Sequence, residues 1–344
     1  MAVGVIKNGK AKVIETIGLK DEQGKAITGL PIMPGLVGST NEVALTENLK
    51  LLSYDNNGLD PEGIALDSKG NFWICDEYGP FIAQFDKTGK LIKKYAPGNG
   101  LPNILKYRIP NRGFEGITIA PNGKIYAALQ SVLDIEGKTA KTAKFTRILE
   151  LDPESGRTKM YAYPIDQDNY KSPKDAKIGD IFAISNNKFL LIEQGKGKDN
   201  NMRNIIYLVD IKEATDISNI RVEGKELEFV ADKDQLYKTI KFPTKKIVFD
   251  LRANGWKAEK AEGIVMCPDK KTIMVINDND FGITINVKDS ERKDVKIADY
   301  TLYADGSLKY KEKLAEPTIS IVPNSEEERN TYLWVIKLPE IMKK

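Results

Sequence analysis

Residues 61–79 read PEGIALDSKGNFWICDEYG, and this stretch decides the fold. An acidic residue leads a short apolar strand, a tight turn forms at Gly70, and a second apolar strand ends in Asp76, Glu77 and Tyr78. Two such strands around a polar, glycine-containing turn form an antiparallel hairpin. The pattern returns as FEGITIAPNGKIYAALQS from Phe114, IGDIFAISNNKFLLIEQGKG from Ile178 and AEGIVMCPDKKTIMVINDND from Ala261. The leading acids are Glu62, Glu115, Asp180 and Glu262. The strand-end groups follow at a nearly constant 13 to 16 residues: Asp76 with Glu77, Gln130, Glu193 with Gln194, and Asn277 with Asp278.

Further strands, FIAQFDKTGKLIKKY and TRILELDPESGRTKMYAY, complete a small sheet after two of the copies. Repeating antiparallel sheets of this size point to an all-β protein, a single β-propeller of five or six blades spanning residues 1–344. Pro61, Phe114 and Ala261 are expected to mark entries to innermost strands. A strand near residues 11–17 or 42–52 is expected to share a blade with TYLWVIKL (331–338). Turn signals such as DSKGN, DPESGR and YADGS are frequent, and helical ones are confined to KDQLYKTI and NSEEERN, the second read as a solvated acidic turn.

With 344 residues, 41% hydrophobic and 29% charged, the chain has the composition of a soluble globular protein. No window reaches the ~20 apolar residues of a membrane span, so membrane insertion is not expected. The opening MAVGVIKNGKAKVIET is too short in apolar residues for a secretory signal, which leaves a cytoplasmic protein or one whose signal has been removed. Net charge is +3, and the lysines are scattered among acids with only nine arginines, a poor match to nucleic-acid binding. The two cysteines, Cys75 and Cys267, lie in apolar runs and read as buried inert thiols. The chain has no histidine. That removes Ser-His-Asp triads and histidine-ligated metals, and leaves carboxylates, Lys, Arg, Tyr, amides or an oxygen-bound hard cation to do any chemistry.

In a propeller, equivalent positions of successive blades converge near the axis, so Glu62, Glu115, Asp180 and Glu262 are expected to form a ring, approached by Asn277 and Asp278. Clustered carboxylates repel and raise one another's pKa. A cation would stabilise them, and with oxygen ligands alone it is Ca²⁺, alternatively Mg²⁺ or Mn²⁺. The alternative is that these acids accept hydrogen bonds from neighbouring blade backbones.

GLDPEGIALDSKGNFWICDEYGPFIAQFD, NRGFEGITIAPNGKIYAALQS, RILELDPESGR leading to YAYPID, and KAEGIVMCPDKKTIMVINDNDFG resemble the phytase-like domain family, described as esterase-like activity of phytase. The match runs in order from about Thr16 to Leu338, and DEYGPF, RGFEG and NDNDFG together carry it. The resemblance implies a β-propeller exported to the periplasm or the cell exterior, acting on phosphate esters. It singles out Glu62, Asp76, Glu77, Tyr78, Arg112, Glu115, Gln130, Glu262, Asn277, Asp278, Asn279 and Asp280. Two departures stand out. Asp180 follows a glycine where the other acids precede one, and no GGLSG-like turn with an aspartate-rich strand end comes before KVIETIGLKDEQGKAITGL. The second departure reads as a late start or as a ring with one blade fewer.

Three functions fit these residues. The first is a metal-dependent phosphoesterase acting as a monomer on a small phosphorylated or other anionic substrate. In it Glu77 or Glu193 activates water, Arg112, Lys196 or Arg203 neutralises phosphate, and Tyr78 and Gln130 contact substrate. Arg112 has an alternative in an ion pair with Glu115 or Asp76, and Tyr78 in packing. The second is a non-catalytic binding or scaffold propeller with a structural ion. The third is a lactonase-like calcium propeller.

Overall fold

The structure, a computed structural model, describes residues 1–7, 10–303 and 307–338. The centre of the YADGS turn and the last six residues of the expected 1–344 domain lie outside the described residues.

Four blade sheets follow one another along the chain. The first comprises Pro61–Leu66, Phe72–Asp76, Phe81–Phe85 and Leu91–Pro97, with the two-residue strand Gly100–Leu101 at its edge; the second comprises Phe114–Ile119, Ile125–Leu129, Phe145–Leu151 and Thr158–Pro164. The third is built from Lys177–Ala183, Lys188–Lys196, Met202–Asp210 and Thr244–Asp250, and the fourth from Gly263–Met266, Thr272–Ile276 and Leu333–Lys337. Within each blade the strands are antiparallel and hydrogen-bond in chain order, apart from the parallel edge strand of the first. The first strands of the four blades lie against one another in succession, which makes them innermost strands around an axis. This is the all-β propeller expected, with Pro61 and Phe114 opening their inner strands and Ala261 lying two residues before Gly263; among the described residues four blade sheets are seen, against the five or six expected.

Local chemistry sets the turns. Asp67 Oδ1 accepts hydrogen bonds from the backbone N–H groups of Lys69 (2.8 Å) and Asn71 (2.9 Å), while Gly70 takes φ of 81°, a conformation that glycine adopts without strain. Apolar side chains on blade faces then pack between neighbouring sheets. Tyr126, Ile148, Ile178, Phe189 and Tyr207 form one core between the second and third blades, and Ile192, Ile206, Ile264 and Ile273 another between the third and fourth.

Two excursions interrupt the repeat. Residues 211–243, between the outer strands of the third blade, hold the α-helix Lys233–Thr239 and cover the core of the second blade with Ile217, Leu227, Leu236 and Ile240. Glu228 of this excursion receives two hydrogen bonds from Arg147, at 2.8 and 2.9 Å, with both side chains buried. Beyond Thr272–Ile276 lie an outlying hairpin (Ile283–Lys288 with Thr318–Pro323) and a three-stranded sheet of Tyr300–Leu302, Leu308–Tyr310 and Lys313–Ala315.

The expected shared blade of the two chain ends is corrected. Leu333–Lys337 pairs with Thr272–Ile276, whereas Lys10–Thr16 pairs with Ala2–Lys7. The alternating apolar strand LWVIK completes the edge left open by the short fourth repeat. The early segment instead meets the C-terminal half through Leu49, which packs on Tyr300, Leu308 and Ala315. The thiols also differ from expectation: Cys75 is buried, but Cys267 falls in the turn after Met266 and is half-buried.

Candidate metal and anion site

The inner strands aim their acids by a shared irregularity. Pro61 pairs with Asp76 and Gly63 with Cys75, so Glu62 is left unpaired between them; Phe114 pairs with Leu129 and Gly116 with Ala128, leaving out Glu115. An extra residue in one strand of a pair is a β-bulge, which re-aims its side chain. In the third blade the residue skipped between Ile178 and Asp180 is Gly179. Register therefore makes Gly179, not Asp180, the counterpart of Glu62 and Glu115. Glu262, which precedes Gly263 in the fourth blade, holds the same place.

Three carboxylates converge as a result. Glu62, Glu115 and Glu262 each place an oxygen within 4.8 Å of the others, and Glu62 belongs to a second such group with Asp60 and Glu77. Glu115 is buried and the other two are half-buried. Gln130 sits among them and donates from Nε2 to Glu77 Oε1 (2.7 Å) and Glu115 Oε2 (2.5 Å), while its Oε1 is buried with no partner. Gln194, at the equivalent strand end of the third blade, donates to Glu262 Oε1 at 3.0 Å. Burial first, then the charges of Glu77 and Asp60, pushes the Glu62 pKa up to about 9. Burial and Asp60 take Glu77 up to about 8. Burial, with Glu262 and Glu62, raises Glu115 well above the carboxyl range, and Glu262, hydrogen-bonded to Glu115, is raised by burial despite Lys260. A hard oxygen-ligated cation fits this donor set: it has only oxygen ligands, gathered charge and an unpaired buried amide oxygen.

Asp180 stands one register step from these acids and does a different job. Its Oδ2 accepts the N–H of Ile264 (2.8 Å) on the fourth inner strand, and its Oδ1 that of Ile181 (2.7 Å). Gly63 and Gly116 hold the same register place in their blades and let neighbouring strands touch. A Cβ on Gly116 would come within 2.5 Å of Asp180 Oδ1 and 2.6 Å of Ile181 N. Asn277 is likewise structural, accepting from Tyr332 N at 2.6 Å and donating to Asn330 O at 3.1 Å.

Next to the acids lies a cavity of about 470 Å³ whose wall includes Glu262 and Gln194. Arg112, Lys171, Lys177, Lys196 and Lys260 face it, against the acids Asp175, Glu259 and Glu262. Arg112 donates from Nη1 to Lys174 O at 2.5 Å, and burial lowers its pKa. Lys260 bridges Asp278 (2.6 Å) and Asp280 (2.8 Å) and stands 4.0 Å from Glu262, so Asp278 meets this region through the lysine.

The other residues singled out in the sequence lie elsewhere. Tyr78 turns into the first blade's core and donates to Gly29 O at 2.8 Å. Asp76 is buried, accepting from Asp60 N (2.6 Å) and Gly79 N (2.7 Å). Glu193 has both oxygens engaged by Tyr163, Lys245 and Asp166 N. Arg203 lies against Tyr170, with its Nε buried and unpaired. Lys177, Lys260 and Asp60 were not read from the sequence. Each lies two residues before the bulge position held by Glu62, Gly179 or Glu262, so aligning the repeats one residue further back exposes them.

The fold and site define an all-β propeller carrying an axial group of acids beside a cationic cavity. The chain belongs to the phytase-like family, esterase-like activity of phytase, whose model matches residues 3–281. It is 26% identical over 245 residues to an uncharacterized secreted protein of Arthroderma benhamiae, a match covering 54% of this chain and 46% of that protein. The match thus spans about half the length of that relative. Among solved structures, a Lactobacillus plantarum protein is similar with a TM-score of 0.36 and 11% identity, covering 97% of this chain and 67% of that one. A putative oxidoreductase (glucose dehydrogenase) of Thermus thermophilus is similar with a TM-score of 0.36 and 9% identity, covering 93% and 90%. Among the described residues no helix is long and apolar enough to cross a membrane.

Proposed function

We propose that the chain is a divalent-cation-dependent hydrolase of phosphate esters, exported from the cell, with Ca²⁺ held by Glu62, Glu115 and Glu262. One juxtaposition supports this reading: three convergent glutamates share a wall with a cavity faced by one arginine and four lysines. Acids hold the cation and bases hold the anion, and Glu262 belongs to both. When bound, the cation supplies Lewis-acid stabilisation of charge developing on the ester.

The chain's own groups do the rest. Lys177, Lys196 and Lys260 bind the anion as point charges, and Arg112 orients it through the guanidinium nitrogens not given to Lys174. Glu77 is the proton-handling group. Fixed by Gln130, it takes a proton from the water that attacks phosphorus and gives it to the alkoxide leaving group as the ester P–O bond breaks. Glu193 is replaced in this role because Lys245 and Tyr163 occupy it.

A second reading, a binding propeller without catalysis, draws on Gln130. Its amide bridges Glu77 and Glu115, satisfying them without an ion. Hydrolysis of p-nitrophenyl phosphate separates the two. Turnover that stops with EDTA and returns with Ca²⁺ supports the esterase; no turnover of this or other phosphate esters with calcium-loaded protein supports the binding protein. Arg112→Lys is expected to lower kcat/KM for phosphate esters about tenfold or more, with little change for uncharged esters.

A further inference from the structure

A cavity of about 730 Å³ lies away from the axial acids, between the loop 164–169 that leaves the second blade and the 211–243 excursion of the third. Its charges balance. Asp166, Asp168 and Glu213 face Lys233, Lys241 and Lys245, whereas the axial cavity has an excess of cations. A wall with three charges of each sign selects against a strongly charged ligand.

The floor is polar and rigid. Lys245 Nζ lies 2.6 Å from Asp166 Oδ1 and 2.9 Å from Glu193 Oε2, and its ammonium sits over the rings of Tyr163 (4.8 Å) and Tyr207 (4.5 Å). Tyr207 donates to Asp166, and Tyr163 donates to Glu193 Oε2 at 2.9 Å. Asp166 and Lys245 are thus held in place before any ligand arrives, and preorganised donors and acceptors lose little entropy on binding. One wall is aromatic. Tyr237 is 50% exposed and packs on Phe242 with ring centroids 4.5 Å apart, and the Lys233 ammonium stands 5.8 Å from the Tyr237 ring centre, leaving a half-exposed aromatic edge and face on the cavity wall.

We propose that this cavity binds a neutral carbohydrate, one sugar face stacking on Tyr237 and its hydroxyls hydrogen-bonding to Asp166, Asp168 and Lys241. Flat C–H surface on one side and hydroxyls round the rim are the shape and polarity this wall and floor complement, and the volume is in the range of small-molecule sites. Glu193, which the axial chemistry leaves out, is buried beneath the cavity and holds Lys245 in place, and the site is independent of phosphate-ester hydrolysis.

The test is saturation-transfer NMR on the full chain with maltotriose, cellotriose and chitotriose at millimolar concentration. At least one of the three is expected to bind wild type. Tyr237→Ala, a half-exposed position whose fold is checked by its melting curve, is expected to weaken that binding at least tenfold. Asp168→Asn should weaken it severalfold, and Lys260→Gln in the axial cavity should leave it unchanged. Absence of binding by all three sugars overturns the proposal, as does sugar binding that survives Tyr237→Ala. Inorganic phosphate binding that is lost in Tyr237→Ala also overturns it, by making this an anion site.

Discussion

At the scale of single residues, one register step separates a proposed cation ligand from a structural acceptor. Glu115 is buried and Asp180 half-buried near the axis, but Glu115 faces other carboxylates and Asp180 faces backbone N–H groups. Glu115→Gln is therefore expected to lower the melting temperature only when calcium is present, because stabilisation by a ligand depends on its concentration relative to Kd. In EDTA the same change relieves repulsion and leaves stability equal or higher. Asp180→Ala removes two backbone hydrogen bonds between or within inner strands, and the orphaned N–H of Ile264 costs about 1–3 kcal/mol with or without calcium. Melting curves of both variants in calcium and in EDTA check the distinction.

At the scale of strands and blades, the glycines after Glu62 and Glu115 are a packing requirement. Gly63 comes within reach of Gly116 Cα, and Gly116 of Asp180 and Ile181 N, so inner strands touch where a Cβ has no room. Gly116→Ala is expected to cost about 1–3 kcal/mol by overpacking, read as a lower denaturation midpoint in urea. This contact explains what the sequence could and could not reveal. Hairpin turns, strand pairs and the repeat were legible because turn residues and apolar runs follow local rules. The true partner of Glu62 in the third blade was not, since GD and EG look like one acid displaced by a residue until the bulges align Gly179 with Glu62 and Glu115. The 211–243 excursion was hidden for another reason: its apolar residues Ile217, Leu227 and Leu236 have no local period and find their partners in the second blade, distant in sequence. Lys177 and Lys260 looked like ordinary surface lysines, and only the convergence of blades makes them neighbours.

At the scale of the whole molecule, buried acids tie stability to pH. Asp180 is raised to about 8 and Asp76 to about 7, in both cases chiefly by burial, and Glu62 and Glu77 are raised to about 9 and about 8. An unfolded carboxyl titrates near 4. The folded chain thus holds these protons more tightly, and the associated stability is full below about pH 4 and is lost as pH rises toward 7 to 9. In EDTA the melting temperature is expected to fall between pH 5 and pH 9, and calcium should flatten that slope by replacing protons among the glutamates. A rising melting temperature over this window in EDTA would contradict the burial of these groups. The inner strands also differ in their surroundings. Ile117 of the second blade is 3% exposed, while Ile64 and Leu66 of the first are 55% and 61% exposed. Ile117→Ala is expected to cost about 2–5 kcal/mol, and Ile64→Ala to change stability by no more than about 0.5 kcal/mol, measured by urea unfolding.

Cation binding by Glu62, Glu115 and Glu262 is tested most directly by the melting curve of the wild-type chain at pH 7 in excess calcium and in EDTA. Binding to the folded state alone stabilises by about 2.7 kcal/mol at a hundredfold excess over Kd. The expected result is a melting temperature several degrees higher in calcium, with the difference abolished in Glu115→Gln. Superimposable wild-type curves under the two conditions would contradict the cation site, and would leave Gln130 and shared protons to hold the three glutamates together.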